Sequence, residues 1–177
     1  MKFCSICGSA VDLRVPPGDD RERAVCAACE TIHYVNPKIV VGSVCTYDDR
    51  VLLCRRAIEP RRGFWTIPAG YLELDESAEE GAAREALEEA CARIEIEDLI
   101  AVYSVRRARQ IQLLFRARLP QPNFGVGDES LEVELVAWDA IPWTDLAFPT
   151  VHLVLERARD LRHTAGPLVP VRQSVPD

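Results

Sequence analysis

Beyond residue 37, β-branched and apolar residues come in short runs separated by polar, Gly or Pro breaks. Lys38 to Tyr47 and Val51 to Cys54 flank Asp48-Asp49-Arg50, which predicts a β-hairpin. Ser77 to Ala92 predicts a helix, and Leu99 to Val105 and Gln110 to Leu119 predict two strands. Pro120 to Ser130, with Pro122, Gly125 and Gly127, reads as a loop before a strand from Leu131 to Trp138. Thr150 to Arg162, entered through Pro149, predicts an amphipathic closing helix. Strands on either side of one helix, closed by a second, predict an α/β sheet domain over residues 37–165. The Pro-rich stretch 166–177 is expected to be an irregular tail.

Residues 1–36 carry a different signal. Cys4-x-x-Cys7 and Cys26-x-x-Cys29, eighteen residues apart, have the spacing of a structural zinc site in which two tight knuckles each offer two thiolates to one tetrahedral ion. Two disulfides would need an oxidising compartment, and Met1-Lys2-Phe3 leads into Cys4 with no apolar stretch of a signal peptide. The reading is a zinc ribbon of two short hairpins whose fold depends on its metal. Cys45, Cys54 and Cys91 sit singly among apolar residues and read as small core residues.

Composition adds little until it is resolved along the chain. The 177 residues are 48% hydrophobic and 28% charged, the profile of a globular protein with a small appendage. The run Ile39 to Cys45 is far short of the roughly 18 residues a membrane span needs, so a soluble, cytoplasmic protein without a membrane partner is expected. The net charge of −7 weighs against a stable nucleic-acid partner. That charge is uneven: residues 73–98 hold eleven acids against Arg84 and Arg93, a net −9, and the remainder is nearly balanced.

Within that segment, Ser77-Ala78-Glu79-Glu80 matches a capping box and sets the helix register. Ala83, Ala86, Leu87 and Ala90 then share one arc, while Glu85, Glu88 and Glu89 share another flank. Like charges at i, i+3 and i+4 repel, so a purely structural helix gains nothing from the cluster. A hard divalent cation, Mg²⁺ or Mn²⁺, would relieve the repulsion and bridge the carboxylates to a phosphate. Spacing alone leaves the metal site and the solvated face equally open.

The surrounding residues carry a resemblance. Gly70, five residues, Glu76, seven residues, then Arg84-Glu85-Ala86-Leu87-Glu88-Glu89 resembles the Nudix box, and Gly63-Phe64-Trp65-Thr66-Ile67-Pro68-Ala69-Gly70 before it is also Nudix-like. Cys91 stands where the family has its second glycine, a position that usually takes a left-handed conformation, so the local turn is in question. The resemblance spans about residues 37–163 and implies an α/β/α sandwich around a mixed sheet. It also implies divalent-metal hydrolysis of a nucleoside diphosphate linked to another moiety.

Carried onto this chain, the resemblance makes Glu85 and Glu89 metal ligands and Glu88 a further ligand or the base. The backbone carbonyl of Ala69 or Gly70 is an added ligand, Arg84 orients the glutamates and Glu76 supports the loop. Glu129 or Glu132 is a downstream base. Arg55, Arg56 and Arg62 are candidates for the diphosphate, as guanidinium pairs bidentately with phosphate, and Phe64 and Trp65 for stacking on a ring. A ribbon joined to a Nudix domain resembles bacterial NADH pyrophosphatases and a bacterial and plastid group acting on FAD or ADP-ribose. Ile32 to Lys38, Leu52 to Trp65 and Ile141-Pro142-Trp143 resemble the second group, and Tyr103 to Ala108 lacks the tag of the first. FAD or ADP-ribose is therefore the leading substrate, with NADH or the NAD cap of RNA as alternative and a non-catalytic nucleotide-binding regulator as the rival class. Relatives of this kind imply a homodimer.

Overall fold

The computed structural model describes residues 1–164, 166 and 168–175. The chain divides into two compact units, Met1–Pro37 and Lys38–Asp177. In the first, β1 (Val11–Arg14), β2 (Arg23–Cys26) and β3 (Ile32–His33) form one antiparallel sheet in that order. A bridge between Phe3 and Ala10 closes the turn before β1. The two expected hairpins are thus one short bridge and a three-stranded sheet. Across the β1–β2 turn Arg23 Nε donates to Asp19 Oδ2 at 2.9 Å, and that pairing holds the Asp19 carboxyl at about 2.

The second unit contains β4 (Lys38–Tyr47), β5 (Arg50–Arg56), β6 (Trp65–Thr66), β7 (Ala69–Tyr71), α1 (Ala78–Ala90), β8 (Glu95–Val105), β9 (Gln110–Arg118), β10 (Ser130–Ala137), α2 (Pro149–Leu161) and β11 (Val171–Ser174). Its mixed sheet runs β10-β5-β4-β9-β8-β11, with β4 parallel to β9 and β11 parallel to β8. Alternation places successive residues on opposite faces. Val44, Val51, Leu53, Ala101 and Leu114 join Val154 and Leu155 of α2 in one core. Cys45, Leu52, Cys54 and Ala117 join Ala90 of α1 in another on the other face. Each fully buried Val or Leu among them contributes about 1.5–3 kcal/mol through burial.

One irregularity builds the site. The β4–β5 hairpin is paired only at Thr46–Val51 and Tyr47–Arg50. Beyond it the two strands separate, and β7 pairs with Val40–Gly42 of β4 while β6 pairs with Cys54–Arg55 of β5. Ser43 N donates to the Pro68 carbonyl between them at 3.1 Å. Pro68, Ala69 and Gly70 are therefore held in the sheet itself. β6 and β7 are too short to show in the hydrophobic pattern.

Three expectations need correction. Val171–Ser174 is not irregular: it adds a parallel edge strand against Ala101–Ser104, with Val175 buried behind it. Its four residues lack an alternating pattern, but the open edge of β8 supplies hydrogen bonds to any extended backbone. The expectation for 167, 176 and 177 lies outside the described residues. Next, the inward face of α1 is Ala82, Glu85, Ala86, Glu89 and Ala90, while Leu87 is 43% exposed. Finally, Cys45 and Cys54 are buried as expected, but Cys91 is exposed.

Candidate active site

α1 begins as its sequence requires. Ser77 Oγ accepts from Glu80 N at 3.2 Å and Glu80 Oε2 accepts from Ser77 N at 2.8 Å, a reciprocal capping box that fixes the register of the carboxylates. At the other end Cys91 takes φ 48°, ψ 26°, the left-handed conformation associated with glycine. The turn geometry questioned by the missing glycine is kept, with a cysteine in the strained backbone. The carbonyls of Glu89 and Ala90 are capped from the loop before β10, by Gly127 N at 3.1 Å and Gly125 N at 2.8 Å. Any Cβ on Gly127 would collide with the Glu88 carbonyl, so the loop approaches the helix end at backbone distance.

Glu85 and Glu89 are 8% and 5% exposed and lie between α1 and β7. Ala69 N donates to Glu89 Oε2 at 3.1 Å. Gly70 leaves the space that the Glu85 carboxyl fills, and a side chain there would sit on it. Burial pushes Glu89 up to about 8; the Ala69 N–H and the Arg56 charge oppose this, and the Glu85 and Glu129 charges add to it. Glu85 is also pushed up, again by burial first, with Arg84 opposing. Two carboxylates withdrawn from water with few donors are short of positive charge.

Arg84 organises the rest. Its Nε and Nη2 grip Glu76 at 2.9 and 2.7 Å, its Nη1 donates to Glu85 at 2.8 Å and Glu88 at 3.0 Å, and Nη2 also reaches the Tyr71 carbonyl at 3.0 Å. The pair with Arg84, aided by the Glu73 N–H, holds Glu76 at about 2, and the same contacts raise Arg84 further above its ordinary value. Glu76 thereby ties the loop before α1 to the helix.

Of the two downstream acids, Glu129 is close enough for its charge to act on both Glu85 and Glu89, whereas Glu132 faces Arg55 at 3.4 Å. The Glu129 carbonyl is pinned by Ala57 N at 2.8 Å. Arg55 is further committed to the Gly63 carbonyl at 2.9 Å. Arg56 bonds the Pro60 carbonyl at 3.0 Å and lies 5.2 Å over the Phe148 ring, with its charge acting on Glu89. Arg62 is exposed and forms no ion pair among the described residues. Arg61 covers Phe64 at 5.1 Å, and Trp65 packs against the α2-side core, its carbonyl accepting from Ala147 N.

In the first unit, the Sγ atoms of Cys4, Cys7, Cys26 and Cys29 lie within 4.8 Å of one another. Cys4–Cys29 and Cys7–Cys26 are 3.7 and 3.4 Å apart, close to the roughly 3.8 Å edge of a tetrahedron of sulfurs 2.3 Å from zinc. The knuckles repeat: Gly8 N donates to the Cys4 carbonyl and Glu30 N to the Cys26 carbonyl, and both donors have positive φ. Hydrogen bonds from Thr31 bring Cys29 down to about 6, toward the thiolate a metal takes.

The model of the NUDIX domain matches residues 36–155, and that of the Nudix N-terminal zinc ribbon matches residues 2–35. This chain belongs to the Nudix hydrolase family. A crystal structure of a Nudix hydrolase from Nitrosomonas europaea is 49% identical, with a TM-score of 0.94 and 99% of each chain covered. A MutT-like protein of Streptomyces ambofaciens is 40% identical over 99 residues, 56% of this chain and 60% of that protein. An ADP-ribose pyrophosphatase of Methanocaldococcus jannaschii is 27% identical over 130 residues, 71% of this chain and 76% of that protein. No helix among the described residues is long and apolar enough to cross a membrane.

Against the Nudix box, reasoning from sequence missed three contributors: Phe148 under Arg56, the Gly125 and Gly127 clamp on α1, and the Tyr71 carbonyl that anchors Arg84. The two glycines were visible as loop residues, but nothing local says that they face a helix end. Phe148, next to Pro149, read only as the approach to α2.

Proposed function

We propose that this protein is a metal-dependent pyrophosphatase that splits the diphosphate of an adenine dinucleotide-type compound, ADP-ribose or FAD, releasing AMP. The observation that carries the reading is the convergence of Glu85 and Glu89, nearly without water, on the backbone of Ala69 and Gly70, with Arg84 joining Glu85, Glu88 and Glu76 beside them. An all-oxygen set short of positive charge fits Mg²⁺ or Mn²⁺, held by Glu85 and Glu89, with Glu88 and the Ala69 or Gly70 carbonyl as further ligands. When bound, such an ion neutralises phosphate oxygens and acidifies a water.

The chain's own residues supply the rest. Glu129, whose carbonyl accepts from Ala57 N and whose charge acts on the buried pair, takes a proton from the attacking water in this reading. Arg56, 5.2 Å over the Phe148 ring and with its charge acting on Glu89, offers a guanidinium to the diphosphate. Arg84 and Glu76 orient the carboxylates rather than touch substrate. The ribbon cysteines hold Zn²⁺ as a structural ion. ADP-ribose is supported by the pyrophosphatase relative, and FAD by the resemblance of Leu52 to Trp65. A reducing, cytoplasmic setting and a homodimer belong to the same reading.

The test is a screen of purified, zinc-replete protein with Mg²⁺ or Mn²⁺ over ADP-ribose, FAD, NADH and nucleotide sugars, scoring AMP release. ADP-ribose or FAD should turn over fastest. Glu89→Gln should lose at least a hundredfold in kcat, and Glu129→Gln should lower kcat by about a hundredfold with KM little changed. Absence of AMP from every substrate would overturn the reading.

A further inference from the structure

Hydrogen bonds to the four ribbon sulfurs repeat from one knuckle to the other, with one break. Ile6 N donates to Cys4 Sγ and Ala28 N to Cys26 Sγ, each at 3.4 Å and each from two residues further on. Ser9 and Thr31 stand in the same relation to Cys7 and Cys29, with Thr31 Oγ1 3.1 Å from Cys29 Sγ. The second knuckle adds one more bond, from Cys29 N to Cys26 Sγ at 3.4 Å. Its counterpart in the first knuckle, from Cys7 N to Cys4 Sγ, is absent among the described residues. In its place His33 Nε2 lies 3.3 Å from Cys4 Sγ, from 29 residues away in the chain.

The sheet puts His33 there. β3 pairs with β2 at Val25–Ile32 and Ala24–His33, and Cys26 N donates to the Thr31 carbonyl at 2.9 Å. Thr31 directly precedes β3, and alternation sends its side chain and that of His33 to one face. That face meets the edge made by Cys29 and Cys4, whose sulfurs are 3.7 Å apart. The four sulfurs lie within 4.8 Å of one another and the His33 nitrogen does not join that group. Structural zinc takes four ligands, so the imidazole touches the sulfur and not the ion.

Burial makes the replacement matter. Cys4 and Cys26 are 3% and 0% exposed, so water cannot supply a missing donor to either. Four thiolates around one dication leave a net negative charge, and a hydrogen bond donated to an anion is about twice as strong as a neutral one. A metal-bound thiolate only accepts, so Nε2 carries the hydrogen. Each buried sulfur then has two N–H donors, and for Cys4 one of them is the imidazole.

We propose that His33 is a positioning residue of the ribbon metal site, which donates to the Cys4 thiolate in place of the absent knuckle amide and tightens the hold on the ion. This rests on the zinc reading above. The experiment uses the full chain loaded with Zn²⁺ or with Co²⁺, whose sulfur-to-metal charge-transfer band reports on the thiolates. Losing a hydrogen bond raises the energy of the sulfur electrons and moves that band to longer wavelength. His33→Phe keeps a ring without the donor, and His33→Gln brings an amide N–H close to the position of Nε2. In competition with a chelator, His33→Phe should bind zinc about 10–100-fold more weakly. Its Co²⁺ charge-transfer band should move to longer wavelength while the ligand-field bands keep the four-sulfur pattern, and His33→Gln should restore both affinity and band. Wild-type affinity and band position in His33→Phe would overturn the proposal. So would a loss of affinity shared equally by His33→Gln with no band shift in either, which is what a packing role produces. A changed ligand-field pattern in His33→Phe would place the imidazole on the metal and overturn it as well. Wild-type protein that takes up neither ion would overturn the zinc reading and this proposal with it.

Discussion

Glu76 and Arg84, eight residues apart, meet through two parallel hydrogen bonds of 2.7 and 2.9 Å, and the same guanidinium reaches Glu85 and Glu88. A planar fork makes this possible and a lysine cannot reproduce it. Arg84→Lys should keep the fold and weaken Mg²⁺ binding and kcat/KM by about 10–100-fold, as is usual when the partners of metal ligands are lost. A metal titration followed by activity checks it. Full activity at unchanged Mg²⁺ demand would show that Arg84 orients nothing.

The raised Glu89 gives the metal-free protein a defined pH response. An acid whose folded pKa of about 8 exceeds its unfolded value near 4.3 stabilises the fold below the lower figure and loses that contribution as pH rises to the higher one. Protein freed of Mg²⁺ by dialysis, with zinc retained, should therefore melt several degrees lower at pH 9 than at pH 6. Added Mg²⁺ should close the gap, and Glu89→Gln should remove it. Glu76 titrates far lower, at about 2, and does not enter this window.

Gly70→Ala is the smallest change that tests the cradle. Its methyl would occupy the position of the Glu85 carboxyl, so Glu85 must turn away. The expected loss is a hundredfold or more in kcat at saturating Mg²⁺, with a melting temperature close to wild type. If activity is within threefold, Glu85 is not held where the backbone places it.

Cys91 holds a left-handed backbone that glycine adopts without strain. Cys91→Gly should stabilise the protein by about 1 kcal/mol, and Cys91→Val should destabilise it. Denaturant melts read both. A drop in stability for the glycine variant would mean that the cysteine side chain contributes more than its backbone costs.

Thiol reactivity separates the two kinds of cysteine. With zinc bound, Cys91 alone should react fast, since Cys45 and Cys54 are buried. Burial also raises both of their thiol pKa values, that of Cys45 to about 12. Zinc removal should add Cys4, Cys7, Cys26 and Cys29, and unfold residues 1–37 while the melt of the second unit persists. Four unreactive ribbon thiols in zinc-free protein would contradict a metal-built ribbon.

Much of this architecture was readable because the signals are local. The capping box at Ser77 and Glu80 set the helix start, and the spacing of Cys4, Cys7, Cys26 and Cys29 anticipated their convergence. The face of α1 was not readable. Hydrophobic periodicity assigns carboxylates to water, yet Glu85 and Glu89 turn inward and Leu87 turns out, because Gly70 and the Ala69 N–H receive them. Those partners lie on a three-residue strand, below the length at which alternation is visible. The edge strand Val171–Ser174 escaped for a related reason, since backbone pairing to an open edge makes few demands on side chains.

Only two residue pairs join β4 to β5, and each strand completes its pairing with a piece of the segment 65–71. Ala69 and Gly70 are thus stitched to the sheet from one side, and the connections on either side of that segment are anchored unequally. Leu72 N donates to the Ile39 carbonyl and Glu76 is gripped by Arg84, whereas the exposed stretch 58–62 meets β5 through the Arg56 side chain at the Pro60 carbonyl. The stretch 58–62 can change composition without moving the backbone that receives Glu85 and Glu89, and 72–76 cannot. The fold separates what must stay constant for phosphate chemistry from what can vary to meet a different substrate.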